Sequence, residues 1–117
     1  MTIQPTPPTT LHGGAERLPI RWVNVGTPPI TISRYRVAPG KAVSMHVHTG
    51  KGEYWVVVTG TGVVRVGDRD IPVAEGDVVW TPPRVAHALT NTGTEPLIFV
   101  NVVQRIGDDP VTTTEIP

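Results

Sequence analysis

The amino-acid sequence predicts an all-β chain, and three observations carry that prediction. Val, Ile and Thr supply 43 of the 117 residues, whereas Leu and Ala supply 10. β-Branched side chains are stiff at χ1 and suit pleated strands, so this imbalance excludes a helical bundle. Gly and Pro together supply 25 residues, about twice their usual combined share. In a chain with strong strand runs, that excess means many turns. From Ile20 onward, short apolar runs alternate with turn signals at spacings of about eight to twelve residues, as in sandwiches and small barrels. The length allows one domain with a single core.

Residues 1–19 are rich in Pro and Thr and lack periodicity, so they read as a loose arm with a short strand near its end. The barrel domain is expected over 20–106, with a peripheral tail over 107–117. Within the domain, strands are expected at 21–25 and 30–37, the second closed by Ala38-Pro39-Gly40. A strand over 43–48 ends at the turn Thr49-Gly50-Lys51-Gly52, and the strands over 53–59 and 62–66 flank Gly60. Val66-Gly67-Asp68-Arg69 reads as a tight hairpin leading into 69–73. Glu75-Gly76 precedes a strand over 77–81, which Pro82 and Pro83 stop because neither can donate to a ladder. Strands over 86–90 and 97–105 follow, separated by Asn91-Thr92-Gly93.

Ten basic residues balance ten acidic ones, with no block of like charge. Nucleic-acid binding needs a basic footprint, and none is visible. No apolar run approaches the ~18 residues of a membrane span. The opening segment MTIQPTPPTT has neither a basic nor an apolar region of the kind a secretory signal needs. The chain has no cysteine, which excludes disulfides, zinc–thiolate sites and thiol nucleophiles. A cytoplasmic protein is the expectation.

The histidines carry the chemistry. In a strand, residues i and i+2 share a face, so His46 and His48 project side by side. Glu53 opens the next strand, and an antiparallel partner beginning there would set a carboxylate beside both imidazoles. His87 could close the same site if its strand lies across a barrel. Three imidazoles and one carboxylate suit a divalent first-row metal. Spacing alone leaves a metal site and ordinary polar strand residues equally open. His12, in the arm, reads as solvated.

Written out, the segment is Gly40-x5-His46-x-His48-x4-Glu53-x6-Gly60, followed by Gly76-x5-Pro82-x-Arg84-x2-His87-x3-Asn91. These resemble the two signature motifs of the cupin superfamily. The first matches at every defined position. The second departs at Arg84, where the family pattern has glycine, so the turn before His87 must take an ordinary φ or carry strain. Arg84 then reads as a surface turn residue or as a cationic rim group facing anionic ligands. The resemblance implies a double-stranded β-helix, a jelly-roll-like small barrel, with His46, His48, Glu53 and His87 as ligands of one divalent transition metal (Fe, Mn, Ni, Cu, Co or Zn). It also implies a homodimer, and the spare segments at both ends suit that.

Alternation sends Ser44, Trp55, Val57 and Leu89 inward, with Asn91 following, and Met45, Val47, Tyr54 and Val56 outward; Trp80 and Tyr35 are further wall candidates. Besides Glu53, the expected core offers no carboxylate, lysine or cysteine, so the metal must supply the Lewis acidity or the oxygen activation. Tyr35, Arg36, Tyr54 and Trp55 remain weak catalytic candidates, with Arg34 beside them. A divalent cation with one carboxylate keeps net positive charge and favours a small anionic or oxygen-chelating ligand. The leading expectation is a metal-dependent oxygenase-type enzyme. Behind it stand a non-redox isomerase, lyase, decarboxylase or cyclase, and a non-catalytic sensor.

Overall fold

The computed structural model describes residues 8–24 and 30–117. Its strands are β1 (Thr9–Thr10), β2 (Glu16–Leu18), β3 (Thr31–Val37), β4 (Ala42–Thr49), β5 (Lys51–Thr59) and β6 (Thr61–Val66), followed by β7 (Arg69–Ala74), β8 (Val78–Thr81), β9 (His87–Thr90), β10 (Leu97–Arg105) and β11 (Thr112–Glu115). They form a six-stranded sheet ordered β1-β2-β3-β10-β5-β8 and a five-stranded sheet ordered β11-β4-β9-β6-β7. Every named strand pair is antiparallel. Among the described residues there is no helix, and so none long and apolar enough to cross a membrane.

Alternation builds the core. Val37 on β3, Trp55 and Val57 on β5, Val64 on β6, Leu89 on β9, and Leu97 and Phe99 on β10 are all buried between the sheets. Phe99 sits opposite Tyr35 in the ladder, and its ring stacks on Tyr35 at 5.0 Å and on Trp55 at 4.9 Å. This column of rings ties β3, β10 and β5 together on one face, adding about 0.5–1.5 kcal/mol per pair beyond area burial. Gly67 has φ +61° at the first central position of the β6–β7 turn, where only glycine is unstrained. At the next corner the Asp77 carboxylate accepts from the Ala74 amide at 2.8 Å.

Several expectations change. Residues 21–24 form no strand, because Asn24 takes φ +54° and breaks the extended run; Val25 lies outside the described residues. The arm does carry its short strand, β2, which extends the larger sheet from β3, and Ala15 beside it is fully buried. The segment over 107–117 is not merely appended, since β11 pairs with β4 along its length. β4 and β5 do not pair with each other: the chain crosses from one sheet to the other at Gly50, whose φ is +74°. A bulge between Val43 and His46 shifts the phase of β4, so Val43 packs in the core where Ser44 was expected. Trp80 pairs with Tyr54 and shares its outward face, its ring lying over Gly52 instead of walling the interior.

Candidate metal centre

The corner at Gly50 decides how the site is built. His46 and His48 face inward from β4, and His87, the ladder partner of His46, comes from the neighbouring β9. Glu53 therefore faces the three imidazoles from the opposite sheet, the reverse of the expected arrangement in which His87 would lie across the barrel. All four side chains are buried, and their ligand atoms lie within 4.8 Å of one another. Bonds of about 2.0–2.3 Å to one centre bring ligand atoms about that close.

Each imidazole has one nitrogen already committed. Nδ1 of His46 lies 2.7 Å from the Ser44 carbonyl oxygen, and Nδ1 of His87 lies 3.1 Å from that of Val85. Nδ1 of His48 lies 2.9 Å from the Thr113 hydroxyl and 3.3 Å from the Thr112 carbonyl oxygen. A carbonyl only accepts, so these contacts put the ring proton on Nδ1 and leave Nε2 with its lone pair. Nε2 of His48 and of His87 are buried and have no hydrogen-bond partner. They face Glu53 Oε1 at 3.4 and 3.5 Å. That is long for a charge-assisted hydrogen bond, which is about 2.7–2.9 Å, and it sets lone pairs against a carboxylate. Such a set calls for a cation at its centre, and the residues fit a divalent metal.

Glu53 is otherwise well held. Trp55 Nε1 donates to Oε1 at 3.1 Å, Asn101 Nδ2 donates to Oε2 at 3.1 Å, and Lys51 Nζ stands 3.7 Å from Oε2. Burial alone would raise the Glu53 carboxyl, but its contacts with the His48 and His87 imidazoles, wherever Nε2 carries the proton, and with the Asn101 amide outweigh it and hold the group well below the usual carboxylate range. Burial pushes the His46 imidazole down, only partly offset by the Ser44 carbonyl, which favours the neutral, metal-binding form. Burial also raises the Tyr35 phenol, so its hydroxyl stays protonated.

The cluster opens on a cavity of about 240 Å³ whose walls include Tyr35, Trp55, Phe99 and Asn101. Lys51, Thr113, His12 and Glu115 also line it. His12 is exposed, as expected, and its Nδ1 is 3.9 Å from Glu115 at the rim. Of the weak catalytic candidates, Tyr35 and Trp55 line this cavity. Tyr54 points outward onto Trp80, and Arg36 is bound to Glu16 at 3.2 Å away from the cavity. Arg34 reaches the Pro19 carbonyl. Leu89 and Asn91 are buried as expected, but Asn91 serves a turn at the far end of the interior. Arg84 takes φ +65°, so the departure from glycine carries strain, and its guanidinium is bound to Asp109. Sequence reasoning missed Asn101, Lys51, Thr113 and Glu115. The signal for Asn101 was its place in the inward phase of Leu97, Phe99 and Asn101; Thr113 has no local signal.

A two-sheet barrel with a histidine-rich, carboxylate-bearing pocket at one end defines a double-stranded β-helix protein. A family model of the cupin domain matches residues 33–103, and the chain belongs to that family. An oxalate-binding protein of Thermotoga maritima is 34% identical over 71 residues, covering 61% of this chain and 59% of its own. A mannose-1-phosphate guanylyltransferase of Escherichia coli is 33% identical over 91 residues, covering 76% of this chain but 19% of its own. The chain thus spans less than two thirds of either relative. Among solved structures, a cupin 2 conserved barrel domain protein from Salinispora arenicola superposes with TM-score 0.70 at 29% identity, covering 88% of this chain and 87% of its own. A predicted oxalate decarboxylase from Thermotoga maritima superposes with TM-score 0.73 at 24% identity over 85% of this chain and 92% of its own, a likeness of fold.

Proposed function

We propose that this chain is a metal-binding cupin in which His46, His48 and His87, through Nε2, and Glu53, through its carboxylate, hold one divalent transition metal that receives a small chelating carboxylate. The observation that carries this reading is the pair of buried, partnerless Nε2 atoms aimed at the Glu53 oxygen. Such a metal, when bound, supplies Lewis acidity or oxygen activation to a coordinated ligand. The chain's own residues set what that ligand is. The cavity, about 240 Å³, suits a small metabolite. Lys51, largely buried beside Glu53, adds a cation that favours an anionic ligand. The protonated Tyr35 hydroxyl and the amide of Asn101 are among the polar groups of the walls, beside the apolar Trp55 and Phe99. The identity to an oxalate-binding protein supports oxalate as the first ligand to try.

Turnover of the oxygenase type is the first enzymatic reading, with non-redox lyase or isomerase chemistry next. A non-catalytic binding role is favoured by one observation: apart from the metal cluster, the acid–base groups at the pocket are His12 and Glu115 on its exposed rim, Lys51 beside Glu53, and the Tyr35 phenol, which burial keeps protonated. Metal analysis of the purified protein, followed by calorimetric titration of the Mn(II)- and Fe(II)-loaded forms with oxalate in an oxygen-electrode cell, decides among these. Oxygen uptake, balanced by hydrogen peroxide and carbon dioxide, supports oxygen-activating turnover, carbon dioxide and formate without oxygen uptake support a decarboxylase, and saturable binding with oxalate recovered intact supports a binder. A protein that takes up no divalent metal overturns the whole reading. A cytoplasmic homodimer belongs to the same proposal. The dimer is supported by the outer face of the larger sheet, where Tyr54, Val58, Val78 and Trp80 are exposed together, an apolar patch of the kind a second copy covers.

A further inference from the structure

Two features of this chain lie outside the matched pattern. Arg84 occupies a glycine position of the family motif, and β11 lies beyond residues 33–103, where the family match ends. They meet in the structure. Arg84 holds the left-handed conformation that glycine would adopt without strain, donates its amide to the His48 carbonyl at 2.7 Å, and binds Asp109 just ahead of β11 with its guanidinium. A left-handed non-glycine residue carries backbone strain, so something must compensate for it.

Every residue of β11 is exposed, and β4 is its sole partner in the sheet. Such an edge strand has no core contact to hold it. Its register nevertheless sets Thr113 opposite His48, and the Thr113 hydroxyl is the 2.9 Å partner of His48 Nδ1. The other two imidazoles take their Nδ1 partner from the carbonyl two residues earlier in their own segment. Only His48 depends on a distant part of the chain. The approach is close as well: a Cβ on Gly50 would stand 2.6 Å from the Asp109 carbonyl oxygen.

We propose that β11 is a working part of the metal centre. Thr113 is a positioning residue that holds the His48 ring while the neighbouring Thr112 carbonyl sets its tautomer, and the Arg84–Asp109 pair latches the strand in place, so metal binding and strand docking reinforce each other. This rests on the metal-binding reading above. By linkage, whatever binds the docked form better than the undocked one must stabilise docking by the same factor. Outer-shell partners of metal-bound histidine typically set 10–100-fold in affinity.

The test is Mn(II) and Zn(II) titration of the full chain beside Thr113→Val, Thr113→Ser, Thr114→Val and Arg84→Gly, with amide hydrogen exchange of β11 followed with and without metal. Thr113→Val should weaken metal binding by about 10-fold or more, while Thr113→Ser, which keeps the hydroxyl, restores most of it and Thr114→Val changes nothing. Arg84→Gly relieves strain yet should lose several-fold in metal affinity, and metal should slow exchange of the β11 amides in the parent chain. Equal affinity of Thr113→Val and the parent, or β11 exchange indifferent to metal, overturns the coupling while leaving the metal reading intact. A parent chain that binds neither metal overturns both.

Discussion

Two buried asparagines mark the two ends of the barrel interior, and they are treated in opposite ways. Asn91 donates from Nδ2 to the carbonyls of Val37 and Glu95, each at 2.8 Å, and its Oδ1 accepts from the Gly93 amide at 2.8 Å. It closes a turn and leaves nothing over. Asn101 donates to Glu53 but keeps a buried Oδ1 with no partner, close to the two histidine nitrogens in the same condition. Among the described residues, these three are the buried side-chain atoms without a hydrogen-bond partner, and they come from residues that gather at the Glu53 end. Folding alone would select against them, since each costs about 1–3 kcal/mol. Their confinement to one end separates the part of the interior whose polar groups are satisfied from the part where they are left open.

The contrast is broken most severely at the ligands. His46→Ala should lower divalent metal affinity by about 100-fold or more, since an entire ligand is lost, and Glu53→Gln should lower it by a comparable amount by removing the negative charge. Asn91→Ala should leave metal affinity within about two-fold. Equilibrium titration against a chromogenic chelator measures all three, and unchanged affinity in both ligand variants would mean that these side chains only fill the interior.

Stability should sort the asparagines the other way. Asn91→Ala strands two carbonyls and an amide, and is expected to cost about 2–3 kcal/mol in urea unfolding. Asn101→Ala removes an unsatisfied oxygen along with one useful donor, and should cost about 1 kcal/mol or less. Equal losses would erase the distinction between the two ends.

A smaller effect comes from acid. Burial holds His46 below its ordinary value of 6.5, so as pH falls through 6.5 the unfolded chain takes up a proton that the folded one refuses. Stability of the metal-free protein is therefore full above that pH and declines below it. Glu53, held below its ordinary 4.5, contributes stability that is present above about that value and lost as pH falls further. Urea midpoints of the metal-free protein should be flat above pH 7 and fall in these two windows, with the lower step missing in Glu53→Gln. In the metal-loaded protein, protons must displace metal from three imidazoles together, so occupancy should drop cooperatively below about pH 6.

Much of this architecture was legible because alternation and turn chemistry are local. The strand runs from residue 30 to 105 were readable from β-branched residues bounded by Gly and Pro, within two residues at each end. His46 and His48 were readable as neighbours from their i, i+2 spacing, but the full set with Glu53 and His87 came from the resemblance to the two cupin motifs, since spacing alone left it open. What failed depended on distant partners. The bulge at Ser44–Met45 is set by how β4 meets β9, and it moved Val43 inward. Trp80 was misplaced because only its pairing with Tyr54 across β5 and β8 shows which side it takes. β11 was invisible for a further reason: four exposed residues, three of them Thr, carry no apolar phase from which to read a face.

The separation between His48 and Thr113 also bears on time. His46 and His87 obtain their Nδ1 partners two residues back, so those ring poses can form as soon as each short segment is extended. His48 waits for a residue 65 positions later. During synthesis at about 5–20 residues per second, several seconds pass between the emergence of the first two imidazoles and that of the hydroxyl that orients one of them. The first motif and the second can come together before then, but the centre reaches its final geometry only as the edge strand arrives. An ion captured earlier would be held in a looser cage and exchanged more readily, leaving the nascent chain an interval in which to discard a wrong metal.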